Sequence, residues 1–140
     1  MNIMKFRQIV LAAALFGFAA GAAEIQTYRD SSGRTTGTVT TDGSRATYRD
    51  AQGRITATAS TVGSTTTYRD AQGRIIGTET VNGNSVTYRD AQGRVAATSS
   101  TNGSTTTYRD AQGRTAGTAT QSGSTTTYRD AQGRTSGTKR

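Results

Sequence analysis

The sequence predicts an all-β protein, a repetitive antiparallel meander of β-hairpins built from 20-residue repeats, and three observations support this prediction. From residue 27 onward the sequence repeats every 20 residues, which indicates one structural unit used many times. Each unit contains two turn signals with glycine at the fourth position. The stretches between the turns are rich in Thr, Ile, Val and Tyr, which favour strands. We therefore expect about twelve short strands.

Residues 1–23 are expected to be a secretory signal peptide outside the fold. Lys5 and Arg7 supply a positive start, an apolar run follows, and small residues allow cleavage before Ala23 or Glu24. The apolar run is shorter than the ~20 residues that a membrane-spanning helix needs. We therefore expect no membrane span after cleavage, and a periplasmic or extracellular location in a bacterium.

The composition of residues 24–140, which hold six repeats with the last one truncated, limits the kind of fold and chemistry. The chain lacks Cys and His, which excludes disulfides, metal sites built on these residues, and catalytic triads with a His base. Nine Ile or Val and six Tyr supply most of the large apolar surface, too little for a conventional core. Backbone ladders, stacking of repeats, closure or self-association must therefore stabilise the fold.

The first turn signal is D-x-x-G-R, in which Asp begins a type I turn and Gly takes a left-handed conformation. The second signal is [ST]-x-x-G-[SN], and we expect it to form a similar three-residue hairpin. The structural residues of the first signal are Asp30, Gly33, Asp50, Gly53, Asp70, Gly73, Asp90, Gly93, Asp110, Gly113, Asp130 and Gly133.

These two turns predict a pairing register that every repeat can share. Asp70 would pair with Arg74 in the first hairpin, and Thr80 with Asn84 in the second. Arg74 would then lie between Asp70 and Asp90, which gives an alternating Asp–Arg ladder along one edge.

The same register assigns side chains to the two faces of the sheet. Tyr68 would lie opposite Ile76, and Ile76 opposite Tyr88, so that all three share one face. A row of threonines is expected on this Tyr face, at Thr38, Thr58, Thr78, Thr98, Thr118 and Thr138.

Two other architectures remain open. A β-solenoid with about 20 residues per coil would stack Tyr on Tyr and Arg on Arg, and stacked like charges are unfavourable. The high polarity of the chain also leaves open a disordered state.

The D-x-x-G-R signal with an aromatic residue just upstream resembles the YD repeats of the Rhs family, over Tyr28 to Arg140. In that family the repeats form β-hairpins that spiral into a shell around a toxic cargo. The resemblance implies an extracytoplasmic hairpin-repeat fold.

An arginine row on the other face is the main functional signal. One arginine on every second strand gives guanidinium groups spaced ~9.6 Å apart, which suits an anionic polymer such as lipopolysaccharide phosphates, acidic polysaccharide or nucleic acid. Alternatively, the arginines only keep the sheet soluble and protect it from edge pairing. The candidate anion-binding residues are Arg29, Arg49, Arg69, Arg89, Arg109 and Arg129.

We expect no catalytic residue, cofactor or metal site, because each repeat offers one Asp that the turn already uses. The sequence predicts an exported, non-enzymatic protein with a structural or adhesive role. It would present an Arg, Thr and Tyr face to an anionic or glycan partner and could self-associate through free sheet edges. The alternatives are a binding module for anionic polymers and, as a minor one, an ice-binding protein with a threonine grid.

Overall fold

A computed structural model describes residues 23–140, which form β-strands joined by turns and contain no helix. The predicted signal peptide, apart from Ala23, lies outside the described residues, and within them no helix could cross a membrane. The strands are β1 (Glu24–Asp30), β2 (Thr35–Asp42), β3 (Arg45–Asp50), β4 (Ile55–Val62), β5 (Thr65–Asp70), β6 (Ile75–Asn82), β7 (Ser85–Asp90), β8 (Val95–Asn102), β9 (Thr105–Asp110), β10 (Thr115–Ser122), β11 (Thr125–Asp130) and β12 (Thr135–Lys139).

The strands form an antiparallel hairpin meander that closes into a barrel. Strand β1 pairs with β12, with Tyr28 opposite Lys139, and Thr27 and Arg140 exchange backbone hydrogen bonds of 2.7 and 3.1 Å. The prediction of an all-β hairpin meander is confirmed, and the alternative of a solenoid is not needed. The pairing of β1 with β12 occupies the two sheet edges that an open meander would have left free.

The first hairpin of each repeat has the predicted geometry. In the repeat that begins at Thr67, the Gly73 N–H donates to the Asp70 carbonyl at 3.0 Å, and the Asp70 N–H donates to the Arg74 carbonyl at 2.9 Å. Gly73 has a φ of 81°, which only glycine adopts without strain. The chain thus makes a type I turn closed by a left-handed glycine.

The predicted register of the second hairpin is wrong. Asn82 pairs with Ser85, and Thr80 pairs with Thr87 rather than with Asn84. The loop therefore has two residues, and Gly83 stands first in it with a φ of 56°, as in a type II′ turn. The glycine that was expected to close a three-residue turn instead opens a two-residue turn.

A β-bulge next to the first hairpin compensates for this shorter loop. Arg69 pairs with Ile75, but Tyr68 pairs with Gly77, so Ile76 is an extra residue on its strand. Tyr68 therefore does not lie opposite Ile76, as the predicted register required. Because the bulge adds one residue and the second loop removes one, the tyrosines of successive repeats stay on the same face.

The bulge and the tight loop also close the barrel. Across one repeat, Tyr68 lies opposite Gly77, and Gly77 lies opposite Asp90. Asp90 is two residues beyond Tyr88, the residue equivalent to Tyr68 in the next repeat, so the register advances two residues per repeat. Over six repeats this gives a total shift in register, or shear, of twelve for twelve strands. An eight-stranded barrel with shear eight has the same ratio, and its strands tilt by about 36°. The predicted register had no such advance, and a sheet without stagger cannot tilt its strands to close in this way.

The tyrosine rings fill the interior of the barrel. Tyr68 and Tyr88 are among the largest fully buried side chains, and Tyr28 is partly buried. The rings of Tyr48 and Tyr68 pack with centroids 6.3 Å apart. Because twelve strands enclose a wider space than the eight whose side chains just fill a barrel, large side chains are needed here. The tyrosines are therefore the core of the protein and not part of a face presented to a partner.

The threonine row lies on the outer wall and not, as predicted, on the Tyr face. Thr58 pairs with Thr47 on one side and with the exposed Arg69 on the other, and directly paired residues share a face. The bulge explains the error, since a shift of one residue in register moves side chains to the opposite face. The same holds for the equivalent residues of the other repeats, which are Thr38, Thr78, Thr98, Thr118 and Thr138.

Candidate anion-binding site

Two arginines from every repeat meet at one end of the barrel, because alternate hairpins of a meander lie at the same end. We call this end the arginine rim; it consists of the TYRD arginines, the turn arginines and the six Asp of the D-x-x-G-R turns. The TYRD arginines are Arg29, Arg49, Arg69, Arg89, Arg109 and Arg129. The turn arginines are Arg34, Arg54, Arg74, Arg94, Arg114 and Arg134.

The turn aspartate organises each hairpin of the rim. Asp70 Oδ1 accepts hydrogen bonds from the backbone N–H groups of Gln72 and Arg74 at 3.0 and 2.9 Å. Asp70 Oδ2 accepts one from Nε of Arg74 at 2.8 Å. The other five turns have the same Asp–Arg ion pair, with distances of 2.8 to 3.0 Å. Of the two contacts in the predicted Asp–Arg ladder, the one between Asp70 and Arg74 is present. The prediction of a contact between Arg74 and Asp90 is wrong, because Asp90 lies opposite Gly77.

These contacts stabilise the ionised form of the aspartates. The hydrogen bond from the backbone N–H of Arg34 is the main cause that holds the pKa of Asp30 below its ordinary value. At Asp70, burial acts to raise the pKa, but the hydrogen bonds from Arg74 outweigh burial and lower it. Each turn therefore carries two positive charges and one negative charge at neutral pH.

The TYRD arginines lie on the outer wall, where the structure places them on every second strand. Nη1 of Arg69 donates to the carbonyl of Gly73 at 3.1 Å, and the same bond occurs in the other five repeats at 3.0 to 3.2 Å. This bond ties the arginine to the turn that follows it. Apolar Ile55, Ile75 and Val95 lie opposite Arg49, Arg69 and Arg89 on the adjacent strands.

The net charge of residues 24–140 is located at the rim. Twelve arginines and six aspartates of the rim give +6. The formal charges of the remaining residues cancel, since Arg45, Lys139 and Arg140 balance Glu24, Asp42 and Glu79. One end of the barrel is therefore strongly basic, while the opposite end holds short Gly-Ser or Gly-Asn loops together with the start of β1 and the end of β12.

One carboxyl group lies inside the barrel, and sequence reasoning did not identify its position. Glu79 is 5% exposed and accepts a hydrogen bond from the Tyr68 hydroxyl at 2.9 Å. Burial raises its pKa to about 7. A signal for this site exists in the repeats, because Glu79 occupies the position that holds Val39, Ala59, Ser99, Ala119 and Lys139 elsewhere.

The buried tyrosine side chains also influence one another in the interior of the barrel. Burial, followed by the neighbouring phenols of Tyr128, Tyr48 and Tyr108, raises the pKa of Tyr28. The hydroxyls of Tyr108 and Tyr128 are buried and, among the described residues, have no hydrogen-bond partner. In the same part of the chain, no group of three or more His, Cys, Asp or Glu is placed to hold a metal ion.

Comparison with known proteins identifies the fold and no family. No protein-family model and no curated protein matches the chain. A protein from Arabidopsis thaliana solved by X-ray crystallography is similar in structure, with a TM-score of 0.59 and 7% identity over 87% of this chain and 81% of that chain. A mutant of TarM from S. aureus aligns with a TM-score of only 0.25 and 10% identity, over 85% of this chain and 22% of that chain, which does not indicate a shared fold. The resemblance to the YD repeats therefore stays a prediction.

Proposed function

We propose that this protein is an exported, non-enzymatic repeat protein with a structural or adhesive role, which presents an arginine-rich surface to an anionic polymer or glycan. The observation that carries the proposal is the location of the net charge of +6 at one end of the barrel. Clustered charge of one sign attracts polymers of the opposite sign and raises their rate of association. Arginine suits this role because its planar group binds carboxylate, sulfate or phosphate oxygens in a fork.

The partner would contact arginine and threonine side chains and not tyrosine. The tyrosines lie in the interior, while the arginines and the half-buried threonines form the outer wall. The predicted face of Arg, Thr and Tyr is therefore limited to guanidinium and hydroxyl groups of Arg and Thr.

A binding module that works as a monomer is the second candidate, and barrel closure favours it. Pairing of β1 with β12 removes the route of assembly that depends on free sheet edges. Light scattering over a hundredfold range of concentration separates the candidates. A constant monomer mass supports the module, whereas oligomers that form without ligand support an assembling structural protein.

Retention on immobilised dextran sulfate over a salt gradient, with neutral dextran as the reference polymer, tests the proposed binding. We expect retention on the sulfated polymer alone, and elution as salt rises. The matched variants are Arg74→Gln with Arg89→Gln at the rim, one from each arginine series, and Arg45→Gln with Arg140→Gln away from it. Both remove two positive charges, and we expect only the rim pair to lower the salt concentration of elution. Equal behaviour of the two pairs, or no retention of the unmodified protein, would contradict the proposal.

Export is tested separately by expressing the full chain in a bacterium and sequencing the N-terminus of the protein recovered from the periplasm or medium. We expect the mature protein to begin at Ala23 or Glu24. Recovery of an uncleaved chain from the cytoplasm would contradict this part of the proposal.

A further inference from the structure

The turn arginines are highly exposed charged groups of the rim, although the sequence pattern indicates only a role in the turns. Their side chains are 76 to 81% exposed, even though each is bound to its aspartate. The bond uses Nε, so the two terminal amino groups of each guanidinium remain at the surface. In three repeats Nη2 makes only long contacts of 3.3 to 3.5 Å with a glutamine side chain.

The two arginine series therefore differ in how they are held. A TYRD arginine such as Arg69 gives its terminal Nη1 to the carbonyl of Gly73, so a group that would contact a ligand is already engaged. A turn arginine such as Arg74 is fixed through Nε by Asp70 and keeps its outer fork exposed. A guanidinium that is fixed on one side and exposed on the other loses little freedom when it binds an anion.

The other groups at the rim favour a sugar polymer over a nucleic acid. The tyrosine rings belong to the interior, so within residues 23–140 the rim offers no aromatic side chain on which a base could stack. Exposed Gln72, its counterparts, and Ser32 of the first turn lie beside the arginines and can hydrogen-bond hydroxyl groups. The combination of guanidinium and amide or hydroxyl groups matches the anionic groups and hydroxyls of an acidic polysaccharide.

We propose that the arginine rim binds an acidic polysaccharide at the end of the barrel, with the turn arginines as the ligand-contacting groups and the TYRD arginines as braces of the turns. The inference rests on the proposed function and specifies its ligand class and its contact residues. Adjacent turns lie two strands apart, about 9.6 Å, so a single chain crossing the rim can reach several arginines.

Charge-preserving substitutions test this assignment. In one variant all six turn arginines are replaced by lysine, and in the matched variant all six TYRD arginines are replaced by lysine. Lysine keeps the net charge but loses the planar fork. We expect the turn variant to bind polygalacturonate and dextran sulfate about tenfold more weakly than the unmodified protein, and the TYRD variant to stay within about twofold.

The outcomes separate this inference from the proposed function. If the unmodified protein binds neither polymer, the proposed function fails. If it binds them, but the turn variant binds equally well or the TYRD variant loses as much, the assignment of contact residues is overturned. Single-stranded DNA is the third probe, because its unpaired bases could stack on aromatic side chains, and binding to it as tight as to the polysaccharides would overturn the choice of ligand class.

A smaller set of substitutions keeps the test usable if a sixfold variant fails to fold. Arg34, Arg74 and Arg114 are replaced by lysine in one protein, and Arg29, Arg69 and Arg109 in its control. Thermal melting followed by circular dichroism verifies the fold of both. The same order of affinities is expected with a smaller difference, and equal affinities of the two folded proteins would overturn the inference.

Discussion

The rim and the interior of the barrel differ in how strictly their residues repeat from one 20-residue unit to the next. Every rim turn has the same Asp, Gly and Arg and the same hydrogen bonds, because a tight turn depends on local backbone geometry that only certain residues adopt. One interior position, in contrast, holds Val39, Ala59, Glu79, Ser99, Ala119 and Lys139 in successive repeats. An interior position must fill space and satisfy its polar atoms, and different side chains can do this.

The carboxyl groups of the two regions show the same contrast in their pKa values. The turn aspartates accept hydrogen bonds from backbone N–H groups and arginine, and their pKa values are lowered. Glu79 is buried, and burial is the main cause that raises its pKa to about 7. The same chemical group is therefore stabilised as an ion at the rim and as a neutral acid in the interior.

Replacement of the interior carboxyl should have the largest effect. A folded-state pKa of about 7 against an ordinary value of 4.5 means that ionised Glu79 costs about 3 kcal/mol of stability above pH 7. We expect Glu79→Gln to raise the free energy of unfolding by about that amount at pH 8 and by little at pH 4.5. Urea unfolding at both pH values measures this, with the exposed Glu24→Gln as control. Equal effects of Glu79→Gln at the two pH values would contradict a raised pKa of Glu79 in the folded protein.

The pH profile of the unmodified protein should show both regions. Because the folded pKa of Glu79 is raised, its stabilising contribution is complete below pH 4.5 and is lost as pH rises toward 7. The aspartate pKa values are lowered from 3.8, so their contribution is complete above pH 3.8 and is lost as pH falls further. We expect the melting temperature to peak between about pH 4 and 5. A melting temperature that rises steadily from pH 5 to pH 8 would contradict this expectation.

Removing single tyrosine hydroxyls should have smaller effects on stability, and these effects should differ between Tyr68 and Tyr108. Tyr68→Phe removes the donor to Glu79 and should destabilise the protein by about 1–2 kcal/mol. Tyr108→Phe removes a buried hydroxyl that has no partner among the described residues, and should be neutral or stabilising. Thermal melting of both variants tests the pair, and an equal loss of stability in both would show that the Tyr108 hydroxyl is also hydrogen-bonded.

Changes at the rim should be the smallest, because one turn is a sixth of the rim. Asp70→Ala removes an acceptor for two backbone N–H groups, whereas Asp70→Asn keeps an oxygen at that position. We expect Asp70→Ala to lower the melting temperature more than Asp70→Asn does. Arg69→Gln should change stability by about 0.5 kcal/mol or less, because its hydrogen bond is exposed. A larger loss for Arg69→Gln than for Asp70→Ala would contradict this order.

The repeat, the strands and the first turn of this protein follow from its sequence alone. The period of 20 residues, the strand-forming stretches and the D-x-x-G-R turn predicted the hairpin meander, because turns and strand preferences depend on near neighbours. The alternation within a strand also placed Arg69 opposite Ile75 on the face away from Tyr68. The role that we propose for the turn arginines does not follow from the sequence, in which Arg74 is recognisable only as a turn partner of Asp70.

Tertiary structure alone decided the register, the closure and the burial of Glu79. The bulge at Ile76 and the two-residue loop at Gly83 each change the register by one residue, and only their sum keeps the tyrosines inside. Whether β1 meets β12 depends on the shear accumulated over all the repeats, which no single repeat contains. The local sequence therefore determined the hairpin repeat of this protein. The shear accumulated around the barrel determined that twelve strands close and which side chains lie in the interior.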